Sequence, residues 1–182
     1  MLLKKSVNKI LILILTACIS TVALTVGLRA IFPRKHYNYI ASICKETAIS
    51  PNLVLAIIKA ESSYSGDKVS NKGAVGLMQI MPNTANYVSD LFFAGERFNL
   101  YDEKDNILIG VTYLIYLSNK FENKKTVLSA YNAGEGRVYD WLNCKDYSID
   151  GKSLDNIPFE ETKIYVEKVL KYEKIYGYVY KQ

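Results

Sequence analysis

Glu61 is the residue around which chemistry could be organised. Leu53, Ile57 and Glu61 are spaced by four, so on a helix they share one face, and the apolar side that packs inward ends in a carboxyl group. Two effects raise the pKa of such a carboxyl. Burial disfavours its charged form, and the negative end of a helix dipole does the same. An acid that keeps its proton near neutral pH is what protonation of a glycosidic oxygen requires. Spacing alone fits a solvated glutamate at a helix end equally well. The segment that follows adds weight to the catalytic reading. Ser70-Asn71-Lys72-Gly73-Ala74-Val75-Gly76-Leu77-Met78-Gln79-Ile80-Met81-Pro82 places two glycines three apart, where the backbone can turn tightly and approach a ligand. Gln79 offers donors and an acceptor to sugar hydroxyl or acetamido groups, and Met78 a pliable apolar contact.

These residues need helices to hold them. Apolar periodicity predicts helices over 37–47, from the Ser50-Pro51 cap through Ile58 and Glu61, over 83–91, 105–121, 126–131, about 136–142 and 158 to about 176. No stretch alternates with period two, and 145–156 is polar, with Gly151, and reads as a loop. The fold class is all-α, with helices around one core. Trp141 follows the turn at Gly134 by a helix length and reads as packing, as do Tyr113 and Tyr116. His36 has no role that the sequence argues. One histidine and scattered cysteines make no metal site. Cys44 and Cys144 read as two small thiols, with a disulfide as the other reading.

The chain has 182 residues, room for one domain. Its formal charge of +5 divides unevenly. Residues 1–35 hold Lys4, Lys5, Lys9, Arg29, Arg34 and Lys35 and no acid, while the rest holds 17 Lys/Arg against 18 Asp/Glu. The domain thus carries no bulk positive field, which argues against a nucleic-acid partner. Residues 10–28 form an uncharged run of 19 residues, about the length that crosses ~30 Å of hydrocarbon. The organisation expected is a short cytoplasmic N-terminus (1–9), a membrane-spanning signal-anchor (10–28), a juxtamembrane linker (29–36) and one catalytic domain (37–182). A cleaved signal peptide is a second reading of the run. A third is a lipoprotein, because Leu15-Thr16-Ala17-Cys18 looks like a lipobox, although the chain stays apolar to Leu28. Three cations on each side leave the orientation undecided.

The ordered motifs resemble the soluble lytic transglycosylase family. Glu61-Ser62 with the Ser70–Pro82 segment is similar to its signature. Asn106-Ile107-x-x-Gly110-x-x-Tyr113-Leu114 is similar to its central helix, Ala130-Tyr131-Asn132-Ala133-Gly134 to its Tyr-Asn-Ala-Gly motif, and Ile157-Pro158-Phe159-x-Glu161-Thr162-x-x-Tyr165-Val166 to its closing helix. The resemblance covers about residues 37–176. It implies a lysozyme-like helical fold and cleavage of peptidoglycan glycan strands without a cofactor. It makes Glu61 the single acid/base, and makes Ser70, Met78, Gln79, Tyr131, Asn132, Glu161 and Tyr165 substrate-binding positions. Tyr131 falls on the aromatic that hydrogen-bonds near the catalytic carboxyl. With residues 10–28 read as an uncleaved anchor, the protein is expected to be a single-pass protein of the cell membrane, and the implied substrate puts its domain on the extracytoplasmic side, where an envelope-machinery partner could act. Lys68 and Lys163 depart from the family pattern, which bears on substrate preference. Two other functions are open on the residues: a hydrolytic muramidase, with Asp67 or Glu161 as the second carboxylate that most glycosidases need, and a non-catalytic glycan-binding scaffold.

Overall fold

The computed structural model describes residues 2–181, excepting the side chains of residues 2–8 and 10. Of the expected tail 1–9, only the helical backbone from Leu2 and the side chain of Lys9 therefore lie within the described residues. Eight helices follow one another among them: α1 Leu2–Ile31, α2 Tyr37–Cys44, α3 Pro51–Glu61, α4 Pro82–Phe92, α5 Glu103–Lys120, α6 Lys124–Ala133, α7 Glu135–Leu142 and α8 Glu160–Val179. The only strand-like pairings described are two isolated bridges, Val69 with Val75 and Val75 with Ile80. The fold is all-α, as the apolar periodicity predicts.

Helix α3 is the axis of the domain. Every residue from Leu53 to Ile58 is buried, so neighbours cover it on all sides, and α8 lies along it. A helix apolar all round belongs in a core. Ser50 starts it by accepting the Asn52 N–H, with Pro51 in the first turn, a cap worth about 1 kcal/mol. The chain then leaves α3 through Ser63 and Tyr64, both left-handed (φ 52° and 70°).

Several helices differ at their ends from the expected bounds. Helix α5 begins at Glu103, two residues early, because Asp102 accepts the N–H groups of Lys104 and Asp105. Asn123 does the same for α6 through Lys125. Helix α2 stops at Cys44, where the Thr47 hydroxyl donates to the last carbonyl and Glu46 turns left-handed. Cys44 and Cys144 are both free, and Cys44 is buried.

Residues 29–36 are packed against the domain. Arg29 to Ile31 continue α1, and Phe32 is buried, edge-on to Tyr172 and Tyr176. The Tyr64 and Tyr176 hydroxyls donate to the Pro33 carbonyl at 2.7 and 3.2 Å, and Tyr180 donates to that of Phe32 at 2.8 Å. The Arg34 guanidinium lies 3.4 Å from the centre of the Tyr37 ring and 4.8 Å from that of Tyr180. His36, left-handed just before α2, meets Glu103 at 2.8 Å. Trp141 is buried and packs on Phe159.

Candidate active site

Between α3 and α4 the chain folds into a tight loop, residues 62–81, that makes one wall of a cleft. Asn106 of α5 holds this loop from below. Fully buried, it accepts the Met78 N–H at 2.8 Å and donates to the carbonyls of Val75 and Leu100 at 2.9 and 3.0 Å. Gly76 passes so close that a Cβ there would stand 2.2 Å from the Asn106 amide nitrogen, and its φ is +81°. Gly110, one turn along α5, leaves the space that the Met78 side chain fills: a Cβ would meet its sulfur at 2.5 Å. The glycine pattern is thus explained by close approach of backbone to core.

The cleft has a volume of about 360 Å³ and is lined by Glu61, Ser70, Asn71, Lys72, Ala74, Gln79, Met81, Tyr131, Asn132 and Glu161. Burial pushes the Glu61 carboxyl up to about 7 from its ordinary 4.5. The Tyr165 hydroxyl and the ammonium groups of Lys68 and Lys168 pull the other way, and the Glu161 carboxylate adds a little to the rise. Both lysines also satisfy the end of α3: Lys68 donates to the Glu61 carbonyl and Lys168 to that of Ala60, at 3.1 Å. The negative helix end is therefore partly neutralised, and burial, more than the helix dipole, accounts for the high pKa.

Six of the eight site residues expected from the sequence line the cleft: Glu61, Ser70, Gln79, Tyr131, Asn132 and Glu161. Met78 does not, because its buried side chain is the floor beneath the loop. Tyr165 is also buried, behind Glu61; its hydroxyl has no hydrogen bond of full geometry, and its contact with the acid is a long or bent one. The Tyr131 hydroxyl donates to the Met78 carbonyl at 3.0 Å, not to Glu61, which gives that buried acceptor its partner. Tyr131 stays near enough to feel the acid, whose charge adds to the rise that burial gives its own pKa. Gln79 is left-handed (φ 48°) and spends its amide N–H groups on the carbonyls of Lys68 and Gly76, so only its side-chain oxygen is uncommitted. Asn132 accepts from Thr162 at 2.9 Å, and the exposed Glu161 stands 3.8 Å from Lys72. Asp67 accepts from Ser65 at 2.6 Å and does not line the cleft.

Asn71, Lys72, Ala74, Met81 and Lys168 were not singled out from the sequence. The first four lie inside the Ser70–Pro82 segment, and nothing in it shows which side chains turn outward. Lys168 had a signal: Glu161, Tyr165 and Lys168 are spaced four and three apart on α8 and share a face.

An acid of raised pKa on a buried helix end, facing a polar-rimmed cleft, suits protonation of a leaving oxygen. Residues 38–152 match the Transglycosylase SLT domain family. The chain belongs to that family. Among SLT-domain relatives, the soluble lytic murein transglycosylase of Escherichia coli K12 is 37% identical over 152 residues, 81% of this chain and 24% of that one. The membrane-bound lytic murein transglycosylase C of Haemophilus influenzae is 34% identical over 133 residues, 64% of this chain and 36% of that one. The crystal structure of the 70 kDa soluble lytic transglycosylase of E. coli superposes with a TM-score of 0.74 at 35% identity, over 83% of this chain and 25% of that one. The helical SLT fold is thus shared. This chain spans about a quarter of the length of the E. coli relative.

Proposed function

We propose that the chain is a membrane-anchored lytic transglycosylase that cleaves the bond between N-acetylmuramic acid and N-acetylglucosamine in peptidoglycan, with Glu61 as its only acid/base. The observation that carries this reading is a single raised-pKa carboxyl buried at the floor of a cleft that family motifs surround. The names of the SLT relatives support the same substrate class.

The reaction balances on one carboxyl group. Glu61 gives its proton to the glycosidic oxygen as the bond from C1 of the muramic acid breaks. The positive charge developing at C1 is met by the substrate's own acetamido oxygen. Ionised Glu61 then takes the proton of the C6 hydroxyl, whose oxygen closes on C1 to give a 1,6-anhydro end. No water is consumed, and Glu61 ends protonated as it began. A pKa of about 7 serves both halves, since the group must lose and regain a proton at similar ease. Ser70, Asn132 and the Gln79 side-chain oxygen supply polar contacts for the sugars. A hydrolytic muramidase needs a second carboxylate in the cleft, and Glu161 is the one acid besides Glu61 that lines it.

The apolar stretch Leu11–Ile31 supports a membrane anchor. It is 21 residues of helix, long enough to span, and no residue of its apolar window is buried by the rest of the chain. We place the domain outside the cytoplasm because the substrate is there. Glu61→Gln tests the assignment of the acid: glycan cleavage should be abolished while circular dichroism stays unchanged. Cleavage that persists in a folded Glu61→Gln protein, but is lost in Glu161→Gln, would move the chemistry to the other acid.

A further inference from the structure

The membrane-bound end of the domain is built as a clasp, and it has a consequence for which glycan the enzyme reaches. We infer that the catalytic domain is fixed rigidly to its membrane helix, so that the cleft works at a set height above the bilayer and cuts glycan strands held close to the membrane face. The inference rests on the proposed activity and anchor.

Three observations join here. First, α1 runs without a break to Ile31, and the next three residues are tied into the core. Phe32 is buried against Tyr172 and Tyr176, the Pro33 carbonyl accepts from Tyr64 and Tyr176, and Arg34 is sandwiched between Tyr37 and Tyr180. No free chain separates the span from the domain: the Phe32 N–H closes the last turn of α1 on the Leu28 carbonyl at 2.8 Å, so the two cannot swing apart without breaking that turn or exposing Phe32. Second, α8 links clasp and acid. Tyr165 lies against Glu61, and Tyr176 and Tyr180 belong to the clasp. Tyr165 to Tyr176 is eleven residues of helix, about 17 Å at 1.5 Å per residue. A second path agrees: Tyr64, only three residues beyond Glu61, also grips Pro33. Third, the clasp end of α8 has the chemistry of a bilayer interface. Tyr178 is 71% exposed beside Lys181, and Arg29 stacks on Tyr180. Amphipathic aromatic rings and basic side chains settle at the headgroup level. This end therefore rests on the lipid surface and adds orientation to the tether.

A flexible tether behaves differently. Twenty Gly/Ser residues have an end-to-end distance of roughly 25 Å and let the cleft sample a broad shell. The rigid clasp instead holds the cleft at one level, with Tyr165, which lies against Glu61, about 17 Å along α8 from Tyr176 in the clasp. Strands still joined to membrane lipid, or lying along the membrane face, are in reach; glycan farther out is not.

The test uses the full chain in vesicles of phosphatidylglycerol and phosphatidylethanolamine that also carry uncrosslinked peptidoglycan on its lipid carrier. The readout is the length of glycan left on the lipid after digestion. It is compared with a variant carrying twenty Gly/Ser residues inserted between Ile31 and Phe32, which leaves the cleft and the contacts of Phe32, Pro33 and Arg34 with the domain in place while freeing Arg29 from Tyr180 and Leu28 from Phe32. We expect a short, narrow set of lipid-linked stubs from the native chain and a broader set, about twofold longer or more, from the insertion variant. Soluble glycan fragments should be cut equally by both. Identical stub lengths would overturn the fixed height. A native chain that does not float with the vesicles would remove the anchor and with it the inference. A vesicle-bound native chain that cuts neither substrate would bring down the activity on which the inference rests.

Discussion

Raising the pH should destabilise this domain through one residue. The Glu61 carboxyl titrates at about 7 in the fold against 4.5 ordinarily, because burial opposes its charge. The folded state therefore holds the Glu61 proton more tightly than the unfolded chain. That contribution to stability is fully present below pH 4.5 and is lost as the pH rises through about 7. The difference in pKa corresponds to about 3 kcal/mol, which residual solvent in the cleft trims to about 2 kcal/mol. Glu61→Gln keeps the shape and cannot titrate, so its stability should follow the wild-type curve without this fall. The assay is urea unfolding of residues 32–182, wild type and Glu61→Gln, at about pH 4 and about pH 9. Taking the difference between the two proteins cancels the titration of every other group. The wild type should lose roughly 1 M more in urea midpoint than the variant, for a slope of about 2 kcal/mol/M. Parallel curves would mean that Glu61 is solvated and ionised like an ordinary surface glutamate, and would refute the argument that burial arms it.

Three further outcomes follow from other parts of the structure. Lys68→Met removes a positive charge that lowers the Glu61 pKa, so the alkaline limb of the pH–rate profile should move to higher pH; an unmoved limb, or one moved down, would show that Lys68 acts only on the helix end. Asn106→Leu leaves the Met78 N–H and the Leu100 carbonyl unpaired and takes from the Val75 carbonyl one of its two donors, the other being the Ile80 N–H, which should cost about 3 kcal/mol in thermal or urea unfolding and loosen the cleft wall, raising KM in the molecules that remain folded. A domain started at residue 37 should be less stable than one started at 32 by about 3 kcal/mol, because Phe32 leaves the core, and equal unfolding midpoints would show that the clasp contributes nothing.

The domain helices were legible because their apolar residues recur with helical period, most one-sidedly in α2, α4 and α7. Their first residues were less so: Asp102 and Asn123 cap α5 and α6 from outside the periodic stretch. Glu61 was readable as a buried acid because Leu53 and Ile57 mark the face that it ends. The glycine and asparagine motifs were readable as positions, but their reason was not. That Asn106 holds the loop through Met78 and Val75, and that Gly110 admits Met78, depends on residues 28 to 32 positions apart meeting in space. Met78 looked like a sugar contact because polar and apolar residues alternate unpredictably in a left-handed loop, and no period says which face the floor. The hydroxyls of Tyr131 and Tyr165 exchanged their expected surroundings for the same reason: a tyrosine's partner is set by which buried acceptor lies nearest across the core. The clasp escaped the sequence altogether. Residues 29–36 read as a juxtamembrane linker, and of the tyrosines that grip Phe32, Pro33 and Arg34, Tyr172, Tyr176 and Tyr180 lie more than 130 residues away, on α8 and at its end.

The most direct test of the proposed chemistry is the mass of the muropeptides released from purified peptidoglycan by residues 32–182. Glu61 acting alone, with the substrate's own C6 hydroxyl as nucleophile, predicts products lighter by one water than hydrolytic fragments and resistant to borohydride, and none from Glu61→Gln. Reducible products of full hydrolytic mass would contradict it and require a second carboxylate, with Glu161 the first to replace.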